Sequence, residues 1–360
     1  MRRNRWLVQA IVLLALFVLP SCWLATPRSS TPSSPPTVSV SPSLPVLPPS
    51  PSPSPLSSPP SPSPLSPPPS VNSDHLLQHL QALNFQRYTT DDRAHARAYL
   101  AQTLASFGWQ PEAQSFNAGV NLVARQVDSE PTKGKILVTA HYDTVRGSLG
   151  ADDNASAIAA ILELARLFAA NHSTARSLQF ALFDQEETGL RGSLAFVADA
   201  ANLAQVEGVI NLDMLGYACY IPGCQQYPKG LPVTPPSFQG DFIAVVGDQE
   251  HLPLLHAFQT QAEQGHLPSV LTLPVPLKGL LTPDLLRSDH APFWAKNIGA
   301  VLVSDTANFR NPHYHQPSDT PDTIDPAFLT GVTQRIVNVV QGLLNSQASL
   351  ATPMEADHIN

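Results

Sequence analysis

The chain has 360 residues, of which 43% are hydrophobic, with 20 Lys and Arg against 28 Asp and Glu and a formal net charge of −8. That length suffices for one large domain or two small ones, and an acidic balance without a basic stripe gives no basis for a nucleic-acid partner. The 37 prolines crowd into one block near the N-terminus, so the averages misdescribe the rest of the chain.

In chain order, Arg2, Arg3 and Arg5 precede the apolar stretch IVLLALFVLP. This reads as an export signal, too short for a comfortable membrane span. It ends in LPSC at Cys22, which resembles the bacterial lipoprotein box, where the Cys is lipidated and becomes the mature N-terminus. Pro20 inside the box keeps ordinary cleavage and an uncleaved anchor open as alternatives. Residues 23–72 form a tether, nearly all Ser, Pro, Thr, Val and Leu from residue 27 on. Such a composition builds no core and favours extended polyproline II, reaching on the order of 140 Å when stretched. The expected organisation is a signal at 1–22, a tether at 23–72, a folded domain at 73–348 and a tail at 349–360. The domain is expected outside the cytoplasm, lipid-anchored in the periplasm or at the cell surface, or secreted.

From Ser73 the texture becomes helical over SDHLLQHLQAL and TTDDRAHARAYLAQTLASFGW, with Ser73 and Thr90 as expected N-caps. Trp109–Ala124 reads as two short strands. The strand KILVTAHYD is followed by a helix over Ala155–Ala170, the strand SLQFALFD, the strands GVINLDML and DFIAVVG, a helix around Leu254–Glu263, a strand at Gly299–Ser304 and a closing helix over Pro326–Leu344. Apolar strands alternating with helices predict a three-layer α/β/α sandwich on a mixed, mostly parallel sheet. Three strands end in polar residues: His141, the adjacent Glu186 and Glu187, and Asp213. Sites in open α/β sheets form beyond the carboxyl ends of the strands.

Two neighbouring carboxylates at the mouth of a buried strand repel each other, so each needs a task. A cation explains one and a proton transfer the other. Candidate ligands are His141, Asp152 or Asp153 in GADDNAS, Glu187, Asp213, and His313 or His315 in NPHYHQPSDT. Imidazoles and carboxylates suit zinc. Five ligands exceed one tetrahedral ion with an open position and suit two ions about 3.5–4 Å apart sharing a carboxylate. Glu187 then binds metal and Glu186 serves as base. With export, Cys219 and Cys224 in CYIPGC are expected to form a disulfide; two free thiols or a metal pair are the alternatives.

Taken together, AHYDTV, GADDNAS, FDQEETGLRGS, NLDMLGY, SDHAPF and YHQPSDTPDTID, in this order, resemble the M28 family of zinc aminopeptidases from about residue 75 to 345. The resemblance implies two zinc ions. His141 and Asp213 would hold one, Glu187 and His315 the other, and Asp153 would bridge them. It implies Glu186 as general base, Asp143 as the carboxylate that fixes the His141 imidazole, and a cis peptide between Asp153 and Asn154. Ala157 and Gln185 depart from the family pattern, and His313 competes with His315. If the segment were extended, the two histidines would share a side. Asp152 is expected as a turn or helix-cap residue, His290 as structural, Arg191 as solvent-facing or paired with a nearby acid, and His75, His79 and His95 as surface residues. Tyr217 is weighed as an oxyanion donor against a packing role.

The implied activity is hydrolysis of the N-terminal bond of peptides with a free N-terminus, by a monomer. The alternatives are a glutaminyl-cyclase-like acyl transferase with a single zinc, a carboxypeptidase or a peptidase for modified amino acids, and a non-catalytic peptide-binding domain. Loops including 219–240 are expected to shape the substrate pocket, with no motif that reads out a preferred side chain.

Overall fold

The structure is a computed structural model that describes residues 68–126, 134–170, 174–228, 238–260 and 267–351. The signal at 1–22 with Cys22, nearly all of the tether, and the last nine residues lie outside them. Among the described residues no helix is long and apolar enough to cross a membrane.

Two helices come first, α1 (Ser73–Ala82) and α2 (Thr90–Ser106), then the hairpin β1 (Trp109–Phe116) and β2 (Gly119–Gln126). β3 (Lys135–His141) leads through the 151–156 turn into α3 (Ala157–Leu167). β4 (Ser177–Phe183) is followed by α4 (Arg191–Ala198), the single turn α5 (Ala200–Leu203) and β5 (Val206–Leu212). Next come β6 (Phe242–Asp248), α6 (Leu252–Thr260), β7 (Ser269–Val275), the short α7 (Ala291–Trp294), β8 (Ala300–Ser304) and α8 (Pro326–Asn345). β7 and α4 are additions to the sequence-predicted elements. The caps shift by one residue. Asn72, not Ser73, accepts the first amides of α1, and Thr89, not Thr90, forms a capping box with Asp92. In both cases the side-chain oxygen reaches amides two or three residues on, as an N-cap must.

One eight-stranded sheet runs β1-β2-β4-β3-β5-β8-β6-β7. The central strands β4, β3, β5 and β8 are mutually parallel. The sheet is mixed because β1–β2, β2–β4 and β6–β8 pair antiparallel. Period-two alternation sorts the side chains into two layers. Ile136, Val138 and Ala140 of β3, with Leu178, Phe180 and Leu182 of β4, join the core shared with α1, α2, α3, α6 and α8. Leu137, Ala181 and Phe183 face the other way, against Phe196 of α4 and Phe293 and Trp294 of α7. The four parallel strands end along one edge, and His141, Glu186, Glu187, Asp213 and Asp305 emerge there.

Candidate active site

Each candidate side chain leaves a strand or a tight turn on that edge. His141 closes β3. After β4, Gln185 takes a left-handed backbone (φ +62°) that turns the chain and presents Glu186 and Glu187 side by side. Asp213 follows β5 directly. The GADDN turn opens at Gly150, whose φ is +62° and where an added Cβ would lie 2.3 Å from the carbonyl oxygen of Asp153; only glycine fits that approach. The Asp153–Asn154 peptide is cis. Asn154 then spans the Asp213 turn, donating to the Leu212 carbonyl and accepting from the Met214 amide.

These turns bring five side chains from distant parts of the chain together. One cluster joins His141, Asp153 and Asp213, and a second joins Asp153, Glu187 and His315. Asp153 belongs to both. Its Oδ1 lies 3.3 Å from His141 Nε2, and its Oδ2 lies 3.2 Å from His315 Nε2. Asp213 Oδ1 is 3.7 Å from His141 Nε2, and Glu187 Oε2 is 3.0 Å from His315 Nε2. The second oxygen of Asp213 accepts a bond from Ser288.

A second layer of carboxylates holds the first. Asp143 is 3.5 Å from His141 Nδ1 without hydrogen-bond geometry, and its two oxygens accept from the consecutive amides of Glu186 (3.0 Å) and Glu187 (3.3 Å). Asp319 repeats the device, accepting from the consecutive amides of Asp152 (2.8 Å) and Asp153 (3.1 Å). Each adjacent acidic pair is thus fixed through its backbone by one carboxylate. Arg87, fully buried between α1 and α2, donates to the carbonyls of Tyr142, Leu149 and Gly150 and so ties both turns to the helical layer.

The electrostatics reflect this crowding. Burial raises the Asp153 carboxyl, but the two imidazoles outweigh it and hold it well below the usual range. Glu187, buried and close to Asp153, is pushed up to about 7. Burial also pushes Glu186 well up, with Asp289 and Asp213 adding to it against His141. The residues fit a zinc pair. Their donors are imidazole nitrogens and carboxylate oxygens, the set zinc takes. The buried Glu187 Oε1 has no partner within the protein, and among the described residues no Lys or Arg forms an ion pair with any of the five.

Several expectations are corrected. The His313 segment is not extended, because His315 takes φ +59°. His313 therefore points away to Ser318, outside both clusters. Asp152 lies in the turn at 151–156 as one alternative had it, but caps no helix; it is fully buried and accepts from the Gly216 amide and Asn311. Of the two roles weighed for Tyr217, the packing one is seen: it does not line the cavity, and its ring packs edge-on to His313. His79, expected on the surface, is half-buried and bonds Tyr99, and His75 lies against Glu163. Arg191 is exposed, and the fully buried His290 donates from Nε2 to the Leu285 carbonyl. Cys219 and Cys224 are joined as a disulfide. Ser288, Asp319 and Arg87 are additions to the sequence-predicted site. The RSDH and SDT runs carry a local signal for the first two, while nothing near Arg87 announces it.

The five residues and Glu186 open into a cavity of about 460 Å³. Gln225–Pro228 form part of its rim, in the expected 219–240 region; residues 229–237 lie outside the described ones. One wall is the sheet itself. Val246 and Leu273 pair across β6 and β7, and Leu302 of β8 pairs with Val246 on the other side.

Comparison with known proteins places the chain. The model for Peptidase family M28 matches residues 121–340. The "Uncharacterized protein YfbL" of Escherichia coli (strain K12) is 33% identical over 62% of this chain and 69% of its own length. The "Probable lipoprotein aminopeptidase LpqL" of Mycobacterium tuberculosis is 27% identical over 59% of this chain, which spans 43% of LpqL. In structure, the LapA aminopeptidase of Legionella pneumophila aligns with a TM-score of 0.59 at 19% identity, over 77% of this chain and 73% of that one, a likeness of fold. The chain belongs to peptidase family M28.

Proposed function

We propose that this M28 member is an exported aminopeptidase that hydrolyses the N-terminal bond of peptides with a dinuclear zinc site. One observation carries the reading: the two oxygens of Asp153 each face a different imidazole, one from β3 and one from the 311–320 turn. A carboxylate so placed serves two ions at once. His141 and Asp213 would complete one site, and Glu187 and His315 the other. A zinc pair would supply Lewis acidity, acidifying water and polarising the scissile carbonyl.

The chain's own groups do the rest. Glu186 lines the cavity beside the ligands, with its backbone pinned by Asp143. Its carboxylate takes the proton of the attacking water and returns it to the leaving amine nitrogen. Burial favours the protonated form of that carboxyl, which suits a group that must hold a proton between two transfers. Asp143, 3.5 Å from His141 Nδ1, would orient that imidazole with Nε2 toward the cluster once it closes to hydrogen-bond distance.

The lipoprotein-like start and the Pro/Ser tether support a domain held outside the cytoplasm by a lipid on Cys22, and the name of LpqL supports the same assignment. The test is hydrolysis of aminoacyl-nitroanilides by the purified protein, with and without chelator and added zinc, beside amine-blocked and carboxyl-blocked peptides. Zinc-dependent cleavage that needs a free amine supports the reading. Cleavage of amine-blocked peptides alone, or cyclisation of N-terminal glutamine with one zinc per chain, would replace it with a carboxypeptidase or a cyclase.

A further inference from the structure

Among the described residues that line the cavity, Arg287 is the one lysine or arginine. It lies on the segment between β7 and α7, next to Ser288, whose hydroxyl donates to Asp213. Its guanidinium is exposed, yet two bonds orient it: Nη1 donates to Asn308 Oδ1 (2.9 Å) and Nη2 to Tyr314 Oη (3.0 Å). Its carbon sits 5.9 Å from the Tyr314 ring centroid. That ring in turn stacks on His315, with centroids 3.7 Å apart. Both hydrogen-bond partners are neutral, and among the described residues no carboxylate forms an ion pair with Arg287. Asp284 lines the same cavity but is not paired with it. Among the described residues only two of the five guanidinium N–H donors find partners.

Resting on the aminopeptidase reading above, we propose that Arg287 determines specificity by binding a carboxylate on the residue that follows the scissile bond. A planar guanidinium held at two corners presents its free edge as a bidentate partner for a carboxylate. One residue spans about 3.8 Å between Cα atoms. Arg287 and the ligands line one cavity, and a single residue, Tyr314, links them by bonding Arg287 and stacking on His315, so the residue just past the reacting carbonyl is the one whose carboxylate would meet the guanidinium. Two sources share this chemistry: the terminal carboxylate of a dipeptide, and an acidic side chain at the second position.

The test uses the zinc-loaded full chain with four substrates: leucyl-alanine, leucyl-alanine amide, leucyl-glutamate amide and leucyl-nitroanilide. In the wild type, kcat/KM for leucyl-alanine exceeds that for its amide by about tenfold or more, carried by KM, as expected for a charge-assisted bond. In Arg287→Gln the ratio falls to within about twofold of one, and Arg287→Lys keeps part of it because a point charge remains without the fork. Zinc content equal to the wild type in both variants separates substrate binding from support of His315 through Tyr314. If leucyl-glutamate amide matches leucyl-alanine, a side-chain carboxylate is a source; if only leucyl-alanine stands out, the terminal carboxylate is. A wild-type ratio near one, or an unchanged ratio in Arg287→Gln, overturns the assignment while leucyl-nitroanilide cleavage keeps the peptidase reading intact. Cleavage of none of the four takes both down.

Discussion

Among the described residues, two regions of acids and histidines are packed tightly enough to hold a cation, and they differ in one respect. At the carboxyl edge of β3, β4, β5 and β8, Asp153, Glu187 and Asp213 meet His141 and His315 with no lysine or arginine paired among them. At the carboxyl end of β6, Asp248, Glu250 and His251 meet just as closely. There, however, Lys278 supplies the cation, 3.2 Å from Glu250 and 3.9 Å from Asp248, and His251 Nδ1 bonds Asp248 at 2.7 Å. Lys278 offsets part of the second group's charge; the first is left to neutralise a ligand. Because β6 runs antiparallel to β8, the two groups also lie at opposite edges of the sheet, and only the first opens into the cavity.

The contrast breaks most sharply at Glu186. Glu186→Gln is expected to lower kcat by about 10²–10⁴-fold, the usual contribution of a positioned acid–base group, while zinc stays near two per chain by elemental analysis. Asp153→Ala should strip the bound zinc, because both sites lose a ligand, whereas Asp248→Asn should leave zinc unchanged. Zinc loss in Asp248→Asn would erase the distinction between the two groups.

Smaller effects probe how each histidine is held. His290 is fully buried against Trp294 with no acid bonded to it, and burial lowers its pKa to about 4. Its folded pKa thus lies below the unfolded value near 6.5, so the unfolded chain takes up the proton first. This contribution to stability is complete above pH 6.5 and fades as the pH falls toward 4, by on the order of 2 kcal/mol at pH 5. In urea melts of the zinc-loaded protein, the stability gap between the wild type and His290→Asn should shift against the wild type by that amount between pH 7 and 5. Lys278→Met should cost about 1 kcal/mol, since Lys278 is partly exposed and His251 still partners Asp248, lowering Tm by about 2–4 °C. No change in Tm would show that Lys278 does not balance that group.

Much of this is legible along the chain because apolar strands end in the residues that matter. AHYD, FDQEE and NLDM each place a polar residue one step past a buried run, and the parallel order then collects them on one edge. Other features are not legible because they depend on pairings across the chain. The left-handed turn at His315 separates it from His313, and no periodicity encodes it. Asp152 reads locally as a cap, yet its partners Gly216 and Asn311 arrive from 64 and 159 residues away. β7 is hidden in the sequence by the polar run QAEQGH before it, and with it the apolar sheet wall of the cavity. The Arg87 guanidinium bonds only carbonyls, a role with no sequence signature.

Anomalous diffraction at the zinc edge from crystals of the zinc-loaded protein tests the central claim most directly. Two peaks are predicted, one between His141, Asp153 and Asp213 and the other between Asp153, Glu187 and His315, with none beside Asp248. A single peak, or a pair that does not share Asp153, would contradict it.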